Sequence, residues 1–171
     1  MKSTYPIFFT VYVLLLASTG CKKNNNNVPI SQYYLKIKIE GNWVTWKNSL
    51  AEIGPDLDNP TKTNFSFQGA SDDNKEGFGM SLQVNGSSIT NVTYSSDDYI
   101  MPGEYTINEN GSTTRYQLSD NGPFSKYTIT ITSITATEVK GNFAGNFFVN
   151  TAINTQTIAI TEGEFFLKRV R

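Results

Sequence analysis

From Tyr33 onward, apolar side chains recur at every second position, a spacing that extended strands with one buried face produce and helices do not. Tyr33, Leu35, Ile37 and Ile39 alternate with Tyr34, Lys36, Lys38 and Glu40. Gly41-Asn42 then supplies a two-residue turn signal. A hairpin on that turn sets Ile39 opposite Val44 and Ile37 opposite Trp46. It puts Trp46 in the core and Trp43 on the outer face beside Glu40. The same alternation carries Phe65 and Phe67, then Phe78, Met80, Leu82 and Val84, after which Asn85-Gly86 turns the chain and Ile89 to Tyr94 is expected to return it. Tyr105-Thr106-Ile107 and Arg115-Tyr116-Gln117-Leu118 flank a turn at Asn110-Gly111, and Tyr127, Ile129 and Ile131 alternate with threonines. Val139, Phe143, Phe147 and Val149 share a face with Gly141 and Gly145, which are expected to relieve curvature or mark bulges. Ile158 and Ile160 keep the facing of Phe165 and Leu167 if a one-residue bulge falls at Gly163. Only Trp46 to Ile53 leaves room for a short helical turn. The pattern predicts one all-β domain over 32–171, an antiparallel β-sandwich, with a closed or partly open β-barrel as the alternative.

The first 20 residues follow another rule. Lys2, the apolar run Val11-Tyr12-Val13-Leu14-Leu15-Leu16-Ala17 and the small residues Ser18-Thr19-Gly20 have the layout of a secretory signal peptide. The run is too short to span a bilayer. Cys21 stands directly after it, and this arrangement resembles the lipobox of bacterial lipoproteins, although Ser18 occupies the position where leucine is commonest. The resemblance implies cleavage after residue 20, a diacylglyceryl thioether on Cys21 and membrane attachment without a transmembrane helix. One acyl chain binds only marginally, at about 0.8 kcal/mol per buried methylene, whereas two or more make the anchor durable. Residues 21–31, with Lys22-Lys23 and four consecutive asparagines, read as a flexible tether.

Composition narrows the chemistry. Histidine is absent and Cys21 is the single cysteine. No disulfide, Ser-His-Asp triad or Cys-His pair is available, and zinc, copper and non-haem iron sites lose their usual ligands. The body keeps all 15 acidic residues and all but Lys2 of the 14 basic ones. The densest basic group is Lys168-Arg169-Arg171, so nucleic acid, which needs clustered cations, is not expected as a partner. No cofactor, metal or catalytic residue is assigned.

Three kinds of site remain to be weighed. The loop Gly54-Pro55-Asp56-Leu57-Asp58-Asn59-Pro60 offers oxygen ligands suited to calcium but lacks the complete loop pattern. Asp72-Asp73-Asn74 and Asp97-Asp98 are similar fragments that turn chemistry explains equally well. Glu104, Glu109, Glu138, Glu162 and Glu164 are the carboxylates from which a hydrolase pair would have to come. Trp43, Tyr34 and Tyr99 are candidates for an aromatic platform facing a sugar or a protein. Asn64, Asn85, Asn91 and Asn110 begin Asn-x-Ser/Thr triplets that read as strand and turn residues.

Several segments together resemble small Bacteroidota lipoproteins whose domains are mostly of unknown function. They are Lys36-Ile37-Lys38-Ile39-Glu40-Gly41-Asn42-Trp43, Pro102-Gly103-Glu104-Tyr105-Thr106-Ile107 and Thr128-Ile129-Thr130-Ile131-Thr132. Val139-Lys140-Gly141-Asn142-Phe143-Ala144-Gly145 and Ile160-Thr161-Glu162-Gly163-Glu164-Phe165 complete the set. The resemblance implies an all-β domain anchored in the bacterial cell envelope at the outer membrane. Lipoproteins of that group displayed on the surface often carry acidic residues after the cysteine. Lys22-Lys23 therefore favours the periplasm-facing leaflet. The expected role is a non-enzymatic binding module with a protein or envelope partner. The alternatives are a small-ligand or glycan carrier and a carboxylate-dependent hydrolase.

Overall fold

The computed structural model describes residues 32–118, 126–145, 147–150 and 156–170, with the backbone alone at 147–150. Cys21, the leader and the tether lie outside the described residues, as do the side chains of Phe147 and Val149. Twelve strands and no helix occur among the described residues. These are β1 (Tyr34–Ile39), β2 (Asn42–Trp46), β3 (Asn48–Pro55), β4 (Lys62–Ala70), β5 (Glu76–Asn85), β6 (Thr93–Ser95), β7 (Gly103–Glu109), β8 (Ser112–Leu118), β9 (Thr128–Ile134), β10 (Glu138–Ala144), β11 (Phe147–Asn150) and β12 (Thr157–Arg169). The protein is all-β. The stretch from Trp46 to Ile53 is extended, so the short helical turn expected there does not form.

The strands bond in the order β11-β8-β7-β5-β4-β3-β12-β10-β9-β6, with β1 between β12 and β2. β12 organises this arrangement. Its first residues pair with β11, Glu162 to Lys168 pair with β10, and the opposite edge pairs with β1 between Ile160 and Phe166. At its end Lys168 and Arg169 run parallel to Leu50 and Ala51 of β3, the single departure from the expected antiparallel pairing among the described residues. β11 also bonds to β8, so the pairings that leave β12 through β3 return to it through β11.

The sheet curls and buries its apolar side. Phe65 and Phe67 of β4 meet Phe143 of β10 and Phe165 of β12, with Phe67 at 4.8 Å from Phe165 and 5.8 Å from Phe143 between ring centroids. Phe78 of β5 stacks on Phe143 at 5.3 Å. The alternation read from the sequence is the alternation of burial: Phe78, Met80, Leu82 and Val84 are buried, as are Tyr127, Ile129, Ile131, Ile160, Phe165 and Leu167.

Local registers differ from expectation in three places. In the first hairpin the turn residues are Glu40 and Gly41, both at positive φ, in the type I′ geometry that matches strand twist. Ile37 therefore pairs with Val44 and Leu35 with Trp46, and Trp43 faces Lys38 rather than Glu40. Ile89 to Tyr94 does not return along β5; β6 crosses to pair with β9. The bulge facing β1 falls at Thr161, where pairing passes from Lys38↔Glu162 to Ile39↔Ile160, and not at Gly163. A bulge does accompany Gly141, where the β10–β9 register shifts.

The glycines Gly141 and Gly163 serve the core. Gly141 lies opposite Phe165 and Gly163 opposite Phe143. Each Phe ring lies over the facing glycine, where a Cβ would stand. This is the cross-strand covering of glycine by aromatic rings that β-sheets use to close a gap.

The two tryptophans keep their expected sides. Trp46 is 5% exposed and Trp43 is 42% exposed. Trp46→Ala is expected to cost about 3–5 kcal/mol, and Trp43→Ala less than about 0.5 kcal/mol. Acrylamide quenching of intrinsic fluorescence checks the assignment: the readily quenched component should vanish in Trp43→Phe and persist in Trp46→Phe.

Candidate functional site

Two outward faces of the sheet carry polar or aromatic side chains in concave settings. The first spans β2, β1, β12 and β10. Trp43 and Tyr34 line one concavity of 590 Å³ together with Phe166, Lys140, Glu162 and Glu164. Tyr99, the third aromatic expected with them, lies elsewhere and packs edge-on against Tyr94 at 5.2 Å. The charges on this face are mutually engaged. Lys38 Nζ donates to Glu162 Oε1 at 2.8 Å and Lys36 Nζ stands 3.9 Å from Glu164. Lys36 lies over Trp43 at 4.3 Å, and Lys140 over Phe166 at 4.1 Å.

The carboxylate candidates are engaged or apart. Glu162 and Glu164 share one concavity as alternate residues of one strand, and each faces a lysine. Glu104 stands 3.8 Å from Arg115, and Glu138 accepts from Tyr33 Oη at 3.0 Å and Gln32 Nε2 at 3.2 Å. Glu109 ends β7 beside the Asn110-Gly111 turn.

The acidic loop performs a structural task. Asp56 Oδ1 accepts from the backbone N–H of Asp58 and Asn59 at 3.0 and 2.8 Å, while Oδ2 accepts from Asn64 Nδ2 at 2.7 Å and Gln83 Nε2 at 2.8 Å. These donors, Asn64 foremost, hold the Asp56 carboxyl below its ordinary pKa. The side chain that looked most like a cation ligand thus ties its loop to β4 and β5. Asp73 is held at about 2, chiefly by Lys75, in the β4–β5 turn, and Asp97 pairs with Lys126 at 3.0 Å. Among the described residues no group of three metal-ligating acidic or thiol side chains occurs.

The second face was not singled out from the sequence. Outward positions of β3, β4, β5 and β7 form two adjoining concavities of 720 and 590 Å³ that share Glu52, Ser66, Ser81 and Pro102. Together they run the length of β3, from Asn48 to Pro55, about 23 Å at the rise of a strand. The floor is low because small residues occupy outward positions: Ser66 on β4 and Gly77, Gly79 and Ser81 on β5. One wall is the segment Ile100–Pro102, which lies along β5 through Gln83 N–H to Ile100 C=O at 3.0 Å and Ser81 N–H to Pro102 C=O at 2.9 Å. The other end is closed by the loop that Asp56 braces, which places Leu57 on the rim. Leu57 and Ile100, at 93% and 63% exposure, are the two most exposed large apolar residues among those described. The side chains of Glu52, Ser66, Gln68, Ser81 and Gln117 make no hydrogen bond or ion pair with any described residue. The signal for this groove was present as Gly77, Gly79 and Ser81 at the polar positions of an otherwise ordinary strand.

No family model matches the chain, and neither a curated protein nor a solved structure is found that resembles it.

Proposed function

We propose that this chain is a lipid-anchored, non-enzymatic binding module of a bacterial cell envelope, held by an acylated Cys21 and a short tether at the periplasm-facing side of the outer membrane. The observation that carries the binding reading is the groove over β3, β4 and β5, where Glu52, Ser66, Gln68, Ser81 and Gln117 are left open, while Glu138, Glu162 and Glu164 elsewhere face cations or hydrogen-bond donors. Open, rigidly placed polar groups on a sheet face suit recognition. The pairings that leave β12 through β3 and come back through β11 support a partly open β-barrel as the finer architecture, with its interior filled by side chains. That filling favours a ligand held on an outer face over one carried inside.

A second reading, glycan binding, has its support in the Trp43 and Tyr34 face, where an exposed ring adjoins hydrogen-bonding side chains. A hydrolase draws the least support, because Glu162 and Glu164 are half-exposed and each faces a lysine.

The anchor is tested by fractionation of a bacterial host that expresses the full chain. The wild type is expected in the membrane pellet and Cys21→Ser in the soluble fraction. A Cys21→Ser chain that stays in the pellet removes the lipid-anchor reading. Turnover of a defined substrate by the purified protein removes the non-enzymatic one.

A further inference from the structure

The groove's lining says what kind of molecule lies in it. Its charged members are Glu52 and Glu104, with no lysine or arginine among the lining residues. Glu104 has Arg115 at 3.8 Å, whereas Glu52 faces no cation among the described residues. Glu52 is therefore the uncompensated charge of the groove, and an anionic group would meet repulsion beside it while a cationic one would be drawn there. The lining contains no Trp or Tyr. Its two Phe residues, Phe67 and Phe78, are buried with their rings in the core. A sugar chain would find no ring on which to stack. Ser66 and Gln68 alternate along β4, Ser81 lies opposite Ser66 on β5 and Gln117 on β8, and together they offer donors and acceptors to an extended chain lying on the sheet face. At one end Leu57, Ile100, Pro55 and Pro102 gather apolar surface at a single point.

We propose that this groove binds an extended, basic polypeptide segment of about seven residues, with a Lys or Arg side chain at Glu52 and an apolar side chain between Leu57 and Ile100. The inference rests on the binding-module reading and names its site and the partner's chemistry. Ile100 stands beside Gln83, whose neighbours across the sheet are Asn64 and Gly54, two residues beyond Glu52. Counting also the three strand spacings between β3 and Ile100, the basic and apolar residues of the ligand fall about three to five positions apart. The walls are preformed, by the Asp56 hydrogen bonds on one side and the backbone pairing of Ile100–Pro102 on the other. Binding thus needs little reordering of the protein.

The test is selection of a random-sequence dodecapeptide display library on the immobilised full chain in detergent, followed by affinity measurement with synthetic versions of the selected peptides. Peptides sharing a basic and an apolar residue at that spacing are the expected result. Their affinity should fall about tenfold or more in Glu52→Lys and be lost in Gly79→Leu, which fills the floor, while Trp43→Ala leaves it unchanged. A Cβ at Gly79 meets Phe67 O at 3.5 Å and Gln68 Cβ at 3.6 Å, ordinary contacts that leave the sheet intact. Glu52→Lys alters an exposed side chain and keeps the test readable should Gly79→Leu lower stability. Selection of acidic peptides, or binding indifferent to both groove variants, overturns the proposal. Peptide binding lost only in Trp43→Ala overturns the groove and leaves the binding module standing. Oligosaccharide binding lost in Gly79→Leu keeps the groove as a site and overturns the polypeptide assignment.

Discussion

Gly163→Ala is expected to destabilise the protein by about 3 kcal/mol or more, near the upper end of what overpacking a core costs. The added methyl would enter the Phe143 ring and stand 2.8 Å from the carbonyl oxygen of Lys36. The ring is confined, because it stacks on Phe78 and also meets Phe67 at a tilt. For a domain of this size the loss corresponds to a fall of about 10 °C in Tm. Thermal or urea unfolding measures it, with Gly79→Ala as the control at a position where a Cβ meets only ordinary contacts. Phe143→Ala should partly rescue Gly163→Ala, giving a double variant less unstable than the sum of the singles. Additive losses would mean that the ring and the glycine do not share one space.

Phe67→Ala is expected to cost about 3–5 kcal/mol. Phe67 is the ring at which both layers of the curled sheet meet: it contacts Phe65 and Phe78 on its own side and Phe143 and Phe165 opposite. Removing it opens a cavity bounded by four rings, none of which can collapse without leaving another partner. The urea midpoint should fall with little change in m-value. Phe166→Ala, on the outer face under Lys140, should cost less than half as much. A loss at Phe67 below about 1 kcal/mol would show that the layers do not meet there.

The sequence displayed its strands more clearly than their partners. A period of two fixes which face of a strand is buried, so Trp46, Phe78, Ile129 and Leu167 were legible as core and Trp43 as surface. Register is set by turn geometry, and Glu40-Gly41 escaped notice because glutamate seldom adopts positive φ. Pairing of distant strands leaves no local trace: nothing near Thr93-Tyr94-Ser95 marks it as a neighbour of Thr128-Ile129-Thr130, and nothing in Lys168-Arg169 marks it as parallel to Leu50-Ala51. The candidate sites divide in the same way. Trp43 and Tyr34 were visible as exposed aromatics and share a face. The groove was not visible, because it is defined by small side chains on adjacent strands. The acidic loop was ambiguous for a physical reason: an aspartate that caps its own turn and one that binds a cation have the same sequence signature, and the partners of the two Asp56 oxygens show the first role.

β12 follows in the chain every strand it joins, and it joins β1, β3, β10 and β11. A ribosome making the protein therefore releases β1 to β9 long before the strand that completes their core exists. Until then β1 has only β2 for company, and a lone hairpin is marginal in water. With Tyr34 waiting for Phe166, closure is non-local and slow by nature. The strands β3, β4, β5, β7 and β8 can pair as they emerge, but the apolar faces that β12 covers stay open until the end of synthesis and are in need of a holding chaperone.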